Sequence, residues 1–220
     1  MRLIRTLVAL MISGPLLATA GCGLGPFAPP PPPPPPAPAI VVPVVPAYVH
    51  ADLIGGRAAR VKKARAAGIR PLTNIDAWDY VQRQEIELRR QTAGTGVDVI
   101  RSGELLLLRL PASGTFDVGS SEIKPQALST VSEIGMTLKT FNRSLVDVLG
   151  HTDATGTPAS NLALSQKRAE SVARQLRARG VSAARIATRG FGANHPISDN
   201  VTEAGRALNR RVEIKVVPLR

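Results

Sequence analysis

The chain has 220 residues, 20% of them charged, with a formal net charge of +12 at pH 7. That length allows one or two domains. The basic excess suits either anionic surroundings such as nucleic acid, anionic lipid or an acidic polymer, or a plain solvated surface. Aromatic residues make up only 3%, which argues against single-stranded nucleic acid, because that binding needs stacking platforms. The single cysteine, Cys22, excludes an intrachain disulfide and a thiolate metal site, and neither a metal nor a cofactor is expected.

Arg2 and Arg5 precede an apolar stretch at 7–17, broken by Ser13, Gly14 and Pro15, and a small-residue exit comes after it at 18–21. Residues 1–21 read as a secretory signal peptide, too short for a comfortable permanent span. Two cleavages fit. Ala18-Thr19-Ala20 is an A-x-A site cut before Gly21, whereas Thr19-Ala20-Gly21-Cys22 resembles a bacterial lipobox cut before Cys22, with Thr19 where Leu is usual. Lipidation accounts for the only cysteine. By resemblance to sorted bacterial lipoproteins, Gly23 after it, rather than Asp, implies the periplasmic side of the outer membrane. Several acyl chains on one residue would anchor stably. Residues 22–46 then form a spacer. Pro29–Pro36 is unbroken proline, and Pro38, Pro43 and Pro46 extend the bias. Proline fixes φ and lacks an amide hydrogen, so 29–46 is expected as polyproline II reaching about 55 Å.

Residues 47–92 are less informative. Arg57, Arg60, Lys62, Lys63, Arg65 and Arg70 come with no acid between Leu53 and Ile75. A helix carrying them would suit anionic lipid or glycan, but a solvated or disordered basic arm is the favoured reading. Residues 77–90 read as a short helix, with Trp78 and Tyr80 anchoring it on the C-terminal domain. Gly94-Thr95-Gly96 is a turn signal.

Residues 93–220 form the second half. Segments 97–101 and 105–110 read as a strand pair turned at Ser102-Gly103, and the run 105–108 suits a buried strand. A helix over 125–142 places Leu128, Val131, Ile134, Leu138 and Phe141 on one face. A strand at 145–149 comes next. Thr157 caps a helix with Pro158 in its first turn, lined by Leu162, Ala169, Val172 and Leu176 and ended by Gly180. Strands at 186–190 and 212–217 complete the set, the last alternating Val212, Ile214 and Val216 against Glu213 and Lys215. The pattern suggests an α+β layer with helices on one face of a sheet.

The loop Gly150-His151-Thr152-Asp153-Ala154-Thr155-Gly156 falls between a strand and a helix N-terminus, where amides are unpaired. Asn161 and Arg168, seven apart, share a helical face with that loop. An acid and a guanidinium presented together suit a zwitterion, with the acid taking an ammonium and the arginine gripping a carboxylate through two bonds. From spacing alone, a simple Asp153–Arg168 salt bridge is the favoured reading.

The blocks FDVGSSEIKP, GHTDATGTPASNLALSQKRAESV, RGFG and GRALNRRVEI resemble, in order, the motifs of the OmpA-like peptidoglycan-binding domain, covering about 115–217. Residues 80–111 also resemble small outer-membrane lipoproteins carrying it, while 47–75 match nothing. The resemblance implies an α+β domain with helices on one face of a mixed β-sheet. It implies non-covalent binding of the diaminopimelate of the peptidoglycan stem by Asp153 and Arg168. Lesser contacts come from Asp117, Thr152, Asn161 and Arg210. Peptidoglycan and the outer membrane are the implied partners, nucleic acid is not, and other envelope proteins remain open.

Other classes fit less well. His151 with Asp153 or Ser165 would suggest a hydrolase, but no nucleophile elbow or metal-spaced histidine cluster accompanies them, so no enzyme is expected. An envelope enzyme acting on peptidoglycan and an accessory subunit of a larger envelope complex stay as alternatives. A stator-like protein needs an acid in an N-terminal span, and no acid precedes Asp52. A large barrel needs a series of alternating strands before the domain.

Overall fold

The apolar run at 105–108 is explained by its position in the sheet. The structure, a computed structural model, describes residues 53–220. The signal peptide, Cys22 and the proline spacer lie outside the described residues. The elements are α1 (Arg57–Ala66), α2 (Asn74–Thr92), β1 (Asp98–Ser102), β2 (Leu105–Pro111), α3 (Ala112–Thr115), α4 (Pro125–Thr140), β3 (Ser144–His151), α5 (Pro158–Ala178), β4 (Ile186–Gly190), α6 (Glu203–Asn209) and β5 (Arg211–Pro218). The strands form one mixed sheet in the order β1-β2-β5-β3-β4. β2 lies between antiparallel neighbours β1 and β5, so Leu106, Leu107 and Leu108 are all fully buried. β3 pairs antiparallel with β5 and parallel with β4, and α5 makes the crossover between β3 and β4.

Period-two alternation divides the strands between two faces. Val99, Leu106, Leu108, Leu110, Val146, Val148, Val212, Ile214 and Val216 point to the main core, where α2, α4 and α5 cover them with Val81, Leu88, Val131, Ile134, Leu138, Val172 and Leu176. This is the expected α+β arrangement of helices on one face of a mixed sheet. Thr157 caps α5 as its sequence suggests, accepting a bond from Ser160 N, and Pro158 occupies the first turn. Two expected core leucines are not core. Leu128 is 38% and Leu162 51% exposed, each near the start of its helix.

The other face is not a solvent face. Glu213 and Lys215, expected to alternate outward, are buried. Glu213 accepts from Arg211 at 2.9 Å and lies 3.5 Å from both Arg109 and His151. The basic run is also ordered, in place of the solvated arm expected for it. α1 packs on this second face, Leu53 and Ala64 meeting Leu145, Val217 and Leu219. Arg60 turns inward to Asp147 at 2.8 Å and donates to the carbonyls of Ile54, Val146 and Arg185. α2 is longer than expected, because Thr73 caps it by accepting from Asp76 N. Tyr80 is buried and its hydroxyl accepts from Arg143 N at 2.8 Å, but Trp78 is 57% exposed, with the Arg101 guanidinium 4.1 Å over its ring.

Candidate functional site

Two paired glycines bring the site together. Gly150 and Gly190 are register partners at the ends of β3 and β4. A Cβ on Gly150 would lie 2.0 Å from Ser165 O, and one on Gly190 2.4 Å from Gln166 N. Their missing side chains let α5 descend onto the strand ends. The first three turns of α5 then overlook the loop after His151, and Asn161 and Arg168 face it from the same side. A cavity of about 460 Å³ results, and Asp117, Thr152, Asp153, Asn161, Arg168 and Arg210 all line it.

The ion pairing differs from the simple one expected. Asp153 pairs with Arg210, not with Arg168: Arg210 Nη1 donates to Asp153 Oδ2 at 2.7 Å. Arg210 Nη2 donates to Glu203 Oε1 at 2.5 Å, so the guanidinium bridges two carboxylates. The other Asp153 oxygen accepts from Thr155 N at 3.0 Å and from the Thr155 hydroxyl. Burial opposes the charge on Asp153, but the bonds from Thr155 and Arg210 outweigh it and hold the carboxyl below its ordinary range. The same pairing raises Arg210.

Arg168 is left without such a partner. It is 5% exposed, its Nε donates to Ser120 O at 2.9 Å, and its guanidinium sits 5.1 Å over the Phe116 ring. Among the described residues no carboxylate lies within 4 Å of it. Burial lowers its pKa first and repulsion from Arg210 adds to that, while Asp153 opposes. A cationic fork thus lines the cavity with its charge uncompensated at contact distance.

The remaining residues divide by role. Asn161 Nδ2 donates to Asp153 O at 3.3 Å and Thr155 O at 2.8 Å, which spends its donors on shaping the loop. Thr152 is 5% exposed, and its hydroxyl has no hydrogen-bond partner among the described residues. Asp117 stands on the rim, its side chain 81% exposed and 3.4 Å from Lys124. Ser165, one of the residues a hydrolase reading would use, donates to Leu162 O and accepts from Gly192 N, both at 2.9 Å. Sequence reasoning missed Phe116, Ser120 and Glu203. Phe116 and Ser120 flank Asp117 in the same motif, and their places beside a site residue were the available signal. Glu203 sits on the short α6, whose signal is its Thr202 cap.

Residues 115–210 match the OmpA family model. The chain is 46% identical over 140 residues to the probable lipoprotein YiaD of Escherichia coli K12, covering 64% of each chain. It is 41% identical over 101 residues to the peptidoglycan-binding protein ArfA of Mycobacterium tuberculosis, covering 46% of this chain and 31% of that one. The matches therefore span less than two thirds of these relatives' lengths. Among solved structures, the cell wall anchor of the T6SS from Pseudomonas aeruginosa aligns with a TM-score of 0.55 at 29% identity, over 60% of this chain and 96% of that one. A MotB-like protein from Desulfovibrio vulgaris shares the fold, with a TM-score of 0.58 at 22% identity, over 65% of this chain and 94% of that one. The stretch of this chain that is similar to the OmpA family, 115–210, carries Asp117, Thr152, Asp153, Asn161, Arg168 and Arg210.

Proposed function

We propose that the cavity binds the peptide stem of peptidoglycan non-covalently and recognises its diaminopimelate from opposite ends. The observation that carries this reading is Arg168: a guanidinium 5% exposed, lining a cavity, with no carboxylate within contact distance among the described residues. A buried cation in this state gains most from an anion of planar, two-oxygen geometry, which is a carboxylate. Asp153 supplies the complementary charge. A carboxylate offers about four lone-pair sites, so Asp153 can accept an ammonium while keeping Arg210 and Thr155. Arg210 and Asn161 position that carboxylate, through its side chain and its loop respectively. The Thr152 hydroxyl offers a neutral bond, and Asp117 a second acid at the rim. A relative named for peptidoglycan binding and a cell wall anchor of similar structure support the reading.

The same reading makes the chain a tether. Lipid on Cys22 would fix it to the outer membrane, and residues 29–46 would give the domain a reach of about 55 Å from that anchor as polyproline II. The naming of one relative as a lipoprotein supports this.

Co-sedimentation with purified sacculi tests the binding. Wild type pellets with the wall and releases no soluble fragments, whereas Asp153→Ala stays in the supernatant. A folded Asp153→Ala variant that pellets like wild type refutes the site, and fragment release points to an envelope enzyme instead.

A further inference from the structure

α1 carries a second charged surface that the cavity does not use. Of its five basic residues only Arg60 turns inward, while Arg57, Lys62, Lys63 and Arg65 are exposed. Among the described residues none of these four lies within 4 Å of a carboxylate. α2 makes the contrast, since its exposed arginines are neutralised one by one: Arg83 by Asp79 at 2.7 Å, Arg89 by Glu85 at 2.9 Å and Arg90 by Glu87 at 2.6 Å. Surface solubility alone does not require such different treatment of two successive helices. The i, i+4 spacing of Arg57, Val61 and Arg65, with Ala58 and Lys62 beside them, produces a hollow of about 560 Å³ with an apolar floor and a cationic rim, closed on one side by Arg220, whose guanidinium is paired with Glu104.

The position of this patch in the sheet tells which way it faces. β3 runs from Ser144, paired with Pro218, to His151, paired with Arg211. α1 is fixed at the Ser144 end through Leu145, Asp147 and Val217, and Arg220 comes just after Pro218 at that same end. The cavity lies past His151 at the opposite end. The length of β3, about 23 Å at the usual rise per residue, therefore separates the two. Leu53, the first of the described residues, packs at this same end against Leu145, Val217 and Leu219.

We propose that the α1 face docks on the phosphate headgroups of an anionic membrane surface, so that one end of the domain meets the membrane and the other carries the cavity. Arginine forks grip phosphate oxygens, lysines add point charge, and Val61 and Ala58 accept the apolar edge of the headgroup layer. The proposal does not depend on what the cavity binds.

Sedimentation of the chain from Gly23 onward, which carries no acyl group, with vesicles of phosphatidylglycerol and phosphatidylethanolamine tests it against vesicles of phosphatidylcholine alone. Binding is expected only to the anionic vesicles and is expected to weaken steadily as salt rises. Each charge contributes about fivefold at low salt, so replacing Arg57, Lys62, Lys63 and Arg65 by Gln lowers partitioning on the order of several hundredfold. The control is Arg83→Gln, Arg89→Gln and Arg90→Gln together, which removes charge from α2 and leaves binding unchanged. An unchanged melting temperature establishes that the α1 variant is folded; if it is not, Arg57→Gln with Lys62→Gln and the salt series on wild type decide. Equal binding to neutral vesicles, wild-type binding by the α1 variants, or an equal loss in the α2 control would each show the patch to be an ordinary solvated face.

Discussion

Replacing Arg60 by methionine removes one half of a buried ion pair and keeps most of the side-chain volume. Arg60 is 6% exposed and the Asp147 side chain 1%. The guanidinium makes four hydrogen bonds, to Asp147 Oδ1 at 2.8 Å, Ile54 O at 3.0 Å, Val146 O at 3.2 Å and Arg185 O at 2.5 Å. Asp147 Oδ2 accepts from Ile54 N at 3.0 Å, so the variant leaves a buried carboxylate without its ion-pair partner. Breaking a buried pair from one side typically costs about 3–5 kcal/mol. For a unit of this size that lowers the melting temperature by roughly 6–20 °C. Removing both charges, as Arg60→Met with Asp147→Leu, restores a large part of the loss, because the desolvated acid is gone too. Urea denaturation of the four species gives the coupling directly. A loss under about 1 kcal/mol in Arg60→Met, with no recovery in the double variant, would mean that α1 is not held to the sheet as described.

Gly150→Ala places a methyl group 2.0 Å from the Ser165 carbonyl oxygen, which is backbone and cannot rotate away. It should cost about 3 kcal/mol or more by urea denaturation and open the cavity by pushing α5 off the sheet. Stability should also depend on pH through His151, whose pKa burial lowers from 6.5 to about 4. Below pH 6.5 the unfolded chain takes up this proton and the folded chain does not. Stability present above 6.5 is therefore lost as pH falls toward 4, by about 3 kcal/mol from this group, and His151→Leu should flatten that part of a urea-midpoint profile. Intact mass after expression in a diderm bacterium should show acyl chains on Cys22; a mature chain starting at Gly21 with a free thiol would remove the anchor and leave the cavity reading standing.

Much of the fold is written in local sequence. The leucine run of β2, the Thr157-Pro158 start of α5 and the apolar face of α4 each come from periodicity or capping. Asp153, Asn161 and Arg168 are legible as neighbours, because the 150–156 loop and the Asn161/Arg168 spacing are short-range features, whereas Asp117, Thr152 and Arg210 come only from the resemblance to the OmpA-like domain. The features that escape depend on partners far along the chain. Nothing near Arg60 marks it for burial, since its acid is Asp147, 87 residues away. The charged appearance of α1 therefore conceals a packed helix. Spacing matches Asp153 with the nearer cation on the next helix, Arg168, yet its partner is Arg210, 57 residues on. The alternation in β5 is real, but its polar side does not face solvent, because Arg109, His151 and Arg211 gather around Glu213 there. α6 has few apolar residues to signal it, and its local marks are the Thr202 cap and Gly205, where a Cβ would come 2.2 Å from Asp199 O.

Calorimetric titration of a diaminopimelate-containing stem peptide into wild type, Arg168→Ala, Arg168→Lys and Asp153→Ala tests the central claim most directly. Arg168 meets no carboxylate within contact distance among the described residues, so its removal should cost more in binding than in stability, unlike the loss of a structural salt bridge. Losing one partner of a desolvated charge pair costs about 2–5 kcal/mol, which is roughly 30-fold or more in Kd. Arg168→Lys should weaken binding as well, since an ammonium cannot reproduce the planar fork. Alanine variants at Arg168 and Asp153 that both fold normally and bind the peptide like wild type would contradict the account and place recognition elsewhere on the chain.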